Sequence, residues 1–168
     1  MIFEATSDGW LELGRGRRVR CALGRGGVAP AKDKREGDGK TPLGEWPLRR
    51  VLYRADRLTL PATTLPAAPI EPQDAWCDVP SDPKYNLLVR LPYPSLEERL
   101  WREDPLYDLI VVVGFNDSPV VPGRGSAIFL HVARPGFTAT AGCVALKRED
   151  LAEAVAQFSP HDHLSVTG

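Results

Sequence analysis

Residues 108–115, DLIVVVGF, constrain this chain more than any other stretch. The run is far too short to cross a bilayer. It also lacks the apolar/polar alternation of a strand with one wet face, so it reads as a β-strand buried on both sides. A fold that holds such a strand must cover it twice. A second run of this kind, SAIFLHV (126–132), follows after the turn-rich NDSPVVPGRG. Sixteen prolines and fifteen glycines favour a loop-rich, mainly β architecture over a helical bundle.

The rest of the chain is read around these two strands. The N-terminal MIFEATSDGWLELGRGRRVRCALG alternates apolar runs with Asp-Gly and Gly-Arg-Gly turn signals, the pattern of a β-meander. Its RGRRVR cluster is expected on a solvated hairpin. A polar loop, KDKREGDGKTPLGEW (32–46), precedes a strand PLRRVLY (47–53). Residues 56–95 are rich in Pro, Asp and Ala and read as a long irregular excursion, a type of segment that often forms lids or binding walls. LEERLWRED (96–104) suggests a short helix. KREDLAEAVAQF (147–158) is a better one: Leu151, Val155 and Phe158 share a face, and Glu149 and Asp150 complement the dipole at its start. The reading is mixed β with one or two short helices, and 168 residues make a single domain, 1–168, with room for a proper core.

Composition narrows the function classes. A net charge of −1 gives no basic field for nucleic acid or an anionic membrane. Cys21, Cys77 and Cys143 are too few and too far apart for a disulfide framework or a zinc site, and three free thiols suit a reducing compartment. Cys21 and Cys77 read as core residues. The first twenty residues lack the apolar stretch of a signal peptide, so a cytoplasmic location is expected, or a periplasmic one if a leader has been removed.

The chemistry concentrates in FLHVARPGFTATAGCVALK (129–147). An apolar strand ends in His131, breaks into a Pro/Gly/Thr loop and returns at Gly142-Cys143. A cysteine attacks as thiolate and needs a base or a positive field beside it. A loop of this length can fold back and bring imidazole and thiol together. Gly142 permits a sharp backbone and leaves N–H groups open for an oxyanion hole. The plain alternative is a buried structural cysteine beside a satisfied strand-end histidine. A zinc reading that adds His161 and His163 has no ligand spacing beyond the tail HDH. GDGKTPLG (37–44) is the second unusual string; its glycine and lysine order does not match a phosphate loop.

Together, the two strings resemble the YkuD-type L,D-transpeptidase catalytic domain. That family carries a G-x-TP-x-G element, matched by Gly39, Thr41, Pro42 and Gly44. About 100 residues later it has a strand-end His and an S/T-x-G-C motif, matched by His131 and by Thr140, Gly142 and Cys143. The resemblance runs from about residue 10 to 158. It implies an L,D-transpeptidase-like β-sandwich of mixed sheets and no cofactor. It implies Cys143 as nucleophile on the meso-diaminopimelate (or L-Lys) to D-Ala bond of a peptidoglycan stem peptide, His131 as base and then acid, and N–H groups around Gly142 as the oxyanion hole. Two departures stand out. Ala141 replaces a His common in the motif, and Ala145 replaces an Arg common two residues after the Cys. Arg134 either supplies the missing guanidinium for a substrate carboxylate or is simply a solvated loop residue. Thr41, Thr140, Tyr85 and Trp101 are expected at the donor site, with Trp76, Asn86 and Tyr107 as further candidates, and Asn116 either orients substrate or caps a turn.

The acceptor stays open on sequence. Water makes the enzyme an L,D-carboxypeptidase that trims recycled muropeptides, the favoured reading. An amine makes it an L,D-transpeptidase that cross-links the wall or exchanges D-amino acids, and a silent peptidoglycan-binding domain is a third possibility. Nothing in the sequence speaks to oligomeric state.

Overall fold

The structure, a computed structural model, describes residues 1–94 and 97–168. The N-terminal meander forms β1 (Ile2–Thr6), β2 (Trp10–Glu12) and β3 (Arg18–Ala22). β2 pairs antiparallel with both of its neighbours. The basic cluster lies on the β2–β3 hairpin, where the Arg18 and Arg20 guanidinium groups sit 5.4 and 5.2 Å from the Trp10 ring centroid. β4 (Val28–Pro30) is followed by β5 (Thr41–Tyr53), a 13-residue strand. This corrects the sequence reading, in which 41–46 belonged to a polar loop. Gly44 and its neighbours pair with the C-terminal strand, and a strand carrying Gly and two prolines gives little sign of itself in composition.

The segment expected to be irregular holds β6 (Ala67–Pro69), β7 (Asp74–Cys77) and β8 (Leu88–Arg90). The expected short helix over 96–104 is instead β9 (Glu97–Arg99) followed by bends; Leu96 lies outside the described residues. Its three consecutive charged residues pair antiparallel with β7, so cross-strand partners overrode helix propensity. β8-β7-β9 form a small separate sheet. Then come β10 (Leu109–Val113), β11 (Phe129–Val132), β12 (Val144–Leu146), α1 (Arg148–Val155) and β13 (His163–Thr167).

The large sheet runs β10-β11-β12-β3-β2-β1-β13-β5-β4. The first half of β5 pairs with β13 and its second half with β10, which joins the two ends of the sheet into a circuit. β1–β13 and β11–β12 are parallel, and most other pairs are antiparallel. The fold is mainly β with mixed sheets, and α1 is its one α-helix among the described residues. Leu151, Val155 and Phe158 of the helical segment all enter the main core with Phe3, Leu11 and Leu130.

β10 and β11 are covered on both sides, as their uninterrupted apolar sequence requires. Leu109, Val111, Val113, Leu130 and Val132 face the main core. Ile110, Val112 and Phe129 face a second cluster with Trp76, Leu100, Tyr107 and Cys143. The former "excursion" supplies this second cover, with Trp76 edge-on to Phe129 at 5.1 Å between centroids. A buried carboxylate fastens the cover: Asp108 accepts from Arg57 at 2.8 Å and from Arg148 of α1 at 2.9 Å.

Candidate active site

The parallel pairing of β11 with β12 sets the geometry. Leu130 lies opposite Val144 and His131 opposite Ala145. Side chains alternate along a strand, so Phe129 and His131 share one face with Cys143 and Ala145. Cys143 and His131 are therefore diagonal neighbours on adjacent strands, a relation in which Cβ atoms stand roughly 7 Å apart. Both line one cavity of 460 Å³, and both are nearly buried, at 8% and 5% exposure.

In this state thiol and imidazole bond to other groups. Cys143 Sγ donates to the Ala127 carbonyl at 3.1 Å and accepts the Phe129 N–H at 3.4 Å. His131 Nδ1 lies 2.9 Å from the Val132 carbonyl oxygen. A carbonyl only accepts, so Nδ1 carries the proton and Nε2 presents its lone pair. The Tyr107 ring meets the imidazole edge-on at 5.4 Å and holds its orientation. Burial pushes the thiol up to about 12, with the Glu98 carboxylate adding to the effect. Burial lowers His131 to about 4, and Arg102 and Arg134 oppose its protonation further. The resting pair is a neutral thiol and a neutral imidazole, the imidazole already in the tautomer a base requires.

The loop before Cys143 is braced from a distance. Thr140 Oγ1 donates to the Cys143 carbonyl at 2.7 Å and accepts the Gly142 N–H at 3.0 Å. Thr140 lines the cavity as expected, but its hydroxyl is used within the motif, and the Gly142 N–H expected in the oxyanion hole is already bonded. Gly142 itself has φ +139°, and a Cβ there would lie 2.9 Å from the Lys40 carbonyl oxygen. This glycine is required twice over, by its backbone conformation and by its close neighbour. Lys40 precedes Thr41, which is fully buried and accepts the Gly24 N–H on Oγ1 at 2.9 Å. The next N–H, of Arg25, donates to the Thr140 carbonyl at 2.8 Å. Thr41 thus supports the cysteine loop from behind and does not reach the cavity. The two motifs, distant in sequence, form one brace.

The other expected site residues divide. Arg134 is exposed, lines the cavity and makes no ion pair among the described residues, a suitable partner for a carboxylate. Ala141, Ala145 and Tyr107 line it too. Tyr85 is buried behind it, donating to Glu36 at 2.5 Å and accepting from Gly125. Trp101 lies under the Arg54 guanidinium, 3.5 Å from centroid to Cζ, away from the cavity. Asn116 caps its own loop: Nδ2 donates to the Val121 and Gly125 carbonyls and Oδ1 accepts the Val121 N–H. Asn86 braces Trp76 and the Ala127 N–H through Oδ1. Of these aromatic and amide side chains only Tyr107 lines the cavity; Tyr85, Trp101, Asn86 and Asn116 lie outside its lining.

Charged residues that sequence reasoning missed occupy the cavity: Glu36, Asp78, Glu98, Arg25 and Arg102. Glu98 and Arg102 come from the segment expected to be helical, and no local signal places them opposite a thiol 45 and 41 residues further on. No curated protein and no solved structure matches the chain. A family model does, that of the L,D-transpeptidase catalytic domain, over residues 7–163. A diagonal cysteine and histidine on neighbouring strands, the glycine-bearing loop before the thiol and this match over nearly the whole chain agree, and the protein belongs to the YkuD family of L,D-transpeptidase catalytic domains, enzymes that act on peptidoglycan.

Proposed function

We propose that the protein cleaves the bond between meso-diaminopimelate and D-Ala in a peptidoglycan stem peptide, through a thioester on Cys143 that water resolves. The observation that carries this reading is the shared face: Cys143 and His131 open onto one cavity, with Nε2 of the imidazole unprotonated.

The scheme follows from these two groups. Sγ attacks the carbonyl carbon as its proton passes to His131 Nε2, so a free thiolate need not accumulate in a site that disfavours it. The Cys143 N–H is the donor assigned to the developing oxyanion, the Gly142 N–H being bound to Thr140. The C–N bond breaks and imidazolium returns its proton to the departing D-Ala amine. Water then gives a proton to Nε2 and attacks the thioester; the C–S bond breaks and the thiol is reprotonated. Arg134 is the residue assigned to the substrate carboxylate.

Water is favoured as acceptor because the thiol is almost buried at the cavity wall, which admits a small acceptor more readily than a second stem peptide. Three unpaired cysteines fit turnover of wall fragments in a reducing compartment, the cytoplasmic setting of this reading. A neighbouring cavity of 240 Å³ shares Ile128 with the first but is lined by neither Cys143 nor His131, so in the transpeptidase alternative the amine-bearing stem peptide would have to enter the same cavity as the donor. The test is mass spectrometry of disaccharide-tetrapeptide incubated with the protein, with and without a D-amino acid, beside Cys143→Ala. Tripeptide formed by the wild type alone is expected. Exchanged or dimeric products would replace water with an amine, and no product from any stem would reject acyl transfer.

A further inference from the structure

Glu98 has no part in that scheme, yet it faces the catalytic pair. On the small sheet it lies directly opposite Trp76, and opposed residues point to the same face. Trp76 uses that face to pack on Phe129 of β11, so Glu98 is turned toward the strand that carries His131. Its Oε1 accepts the Tyr107 hydroxyl, and the Tyr107 ring touches the imidazole. One side chain therefore separates Glu98 from His131.

What Glu98 lacks is a counter-ion. Among the described residues no Lys, Arg or His forms an ion pair with it. Arg102 stands over the Tyr107 ring at 5.3 Å, but its guanidinium fork is held by Asp104 at 2.8 and 2.6 Å. Glu36 shares the cavity and is held by the neutral hydroxyls of Tyr85 and Ser126. A half-buried carboxylate with only a phenol to bind it lacks part of its compensation, the situation expected where a ligand brings the missing charge. Burial pushes the Glu98 carboxyl up against the opposing Tyr107 hydrogen bond, and Asp78 and Glu36 add their repulsion while Arg102 offsets part of it. The same carboxylate also disfavours the Cys143 thiolate. A cation bound at Glu98 relieves both penalties together, so occupancy of the pocket and reactivity of the thiol are coupled.

Resting on the acyl-transfer reading above, we propose that Glu98 is the residue that receives the side-chain ammonium of the donor residue at the scissile carbonyl, and that it sets the preference for a free amine there. With Oε1 committed to Tyr107, a bidentate guanidinium finds no matching fork, whereas an ammonium needs one acceptor. Arg134, on the other side of His131 in the chain, receives carboxylate. The pocket so equipped reads opposite charges at two points and selects a side chain with a free amine over a neutral one.

The experiment compares two donors, a meso-diaminopimelate tetrapeptide and the same peptide with its side-chain amine acetylated. D-Ala release is measured for wild type, Glu98→Gln and Tyr107→Phe. The wild type is expected to favour the free amine by about tenfold to a hundredfold in kcat/KM, the range of one charge-assisted hydrogen bond. Glu98→Gln brings that ratio toward one, and Tyr107→Phe, which keeps the carboxylate but frees its position, gives an intermediate ratio. Alkylation of Cys143 by iodoacetamide, which needs no peptide, is expected to be faster in Glu98→Gln, while the buried Cys21 and Cys77 stay unmodified and so report an intact fold. Equal handling of both donors by the wild type overturns the proposal, as does a Glu98→Gln variant that slows both alike. A wild type that cleaves neither donor rejects the acyl-transfer reading itself, and this one with it.

Discussion

Replacing Thr41 by Val separates a brace from a substrate contact. The change keeps the shape of the side chain and deletes Oγ1, the acceptor of the Gly24 N–H at 2.9 Å. Both Thr41 and Gly24 are buried, so no water takes the vacated place and the amide is left unsatisfied. An unmade buried hydrogen bond of this type costs about 1–3 kcal/mol. For a chain of this size each kcal/mol lowers Tm by about 2–4 °C, so a fall of about 2–12 °C is expected by circular dichroism. Because the Gly24-Arg25 turn also bonds Thr140, and Thr140 holds Gly142 and Cys143, the loss should reach kcat while KM for the donor changes little. Unchanged Tm with a raised KM would refute the reasoning and return Thr41 to the donor site.

Other expectations follow from the same structure. Gly142→Ala places a Cβ 2.9 Å from the Lys40 carbonyl oxygen at φ +139°; a loss of about 1–3 kcal/mol in urea unfolding is expected, together with most of the activity. Asp108→Asn weakens the carboxylate that joins Arg57 to Arg148, and a loss of about 2–3 kcal/mol is expected, read as a lower denaturant midpoint with an unchanged slope. The pH dependence has a definite sign. His131 titrates at about 4 in the fold against 6.5 unfolded, so between these values the unfolded chain binds more protons. Stability contributed by the buried neutral imidazole is full above pH 6.5 and falls as pH drops toward 4. His131→Gln should flatten that part of a Tm-against-pH curve, and an unaltered curve would count against a buried neutral imidazole.

Much of this was legible because the decisive strands announce themselves. DLIVVVGF and SAIFLHV have the uninterrupted apolar character that burial on both faces demands, and α1 and the turn after it bury the expected stripe of Leu151, Val155 and Phe158. Cys143 and His131 stood out through the loop between them. The first half of β5 was hidden because Thr-Pro-Leu-Gly reads locally as a turn, and only its pairing with β13 makes it a strand. The small β8-β7-β9 sheet was hidden for a related reason: its strands are three or four residues long and gain their conformation from partners and from the face of β11 they cover. Glu98 and Arg102 were invisible as site residues because their place depends on that sheet. Thr41 was found as a motif residue but expected at the donor site, and Thr140, which does line the cavity, has its hydroxyl turned to its own loop, since a hydroxyl's role rests on which backbone groups lie beside it.

The most direct test of the central claim is intact-mass analysis of the protein after exposure to a carbapenem, followed by peptide mapping, with Cys143→Ala and His131→Gln in parallel. The account predicts one covalent adduct located on Cys143, absent from Cys143→Ala, and formed far more slowly in His131→Gln because the attacking sulfur has lost its base. Cys21 and Cys77, both buried outside the cavity, are expected to stay unmodified. An adduct on either of those thiols, or an unmodified Cys143 in folded wild-type protein, would contradict it.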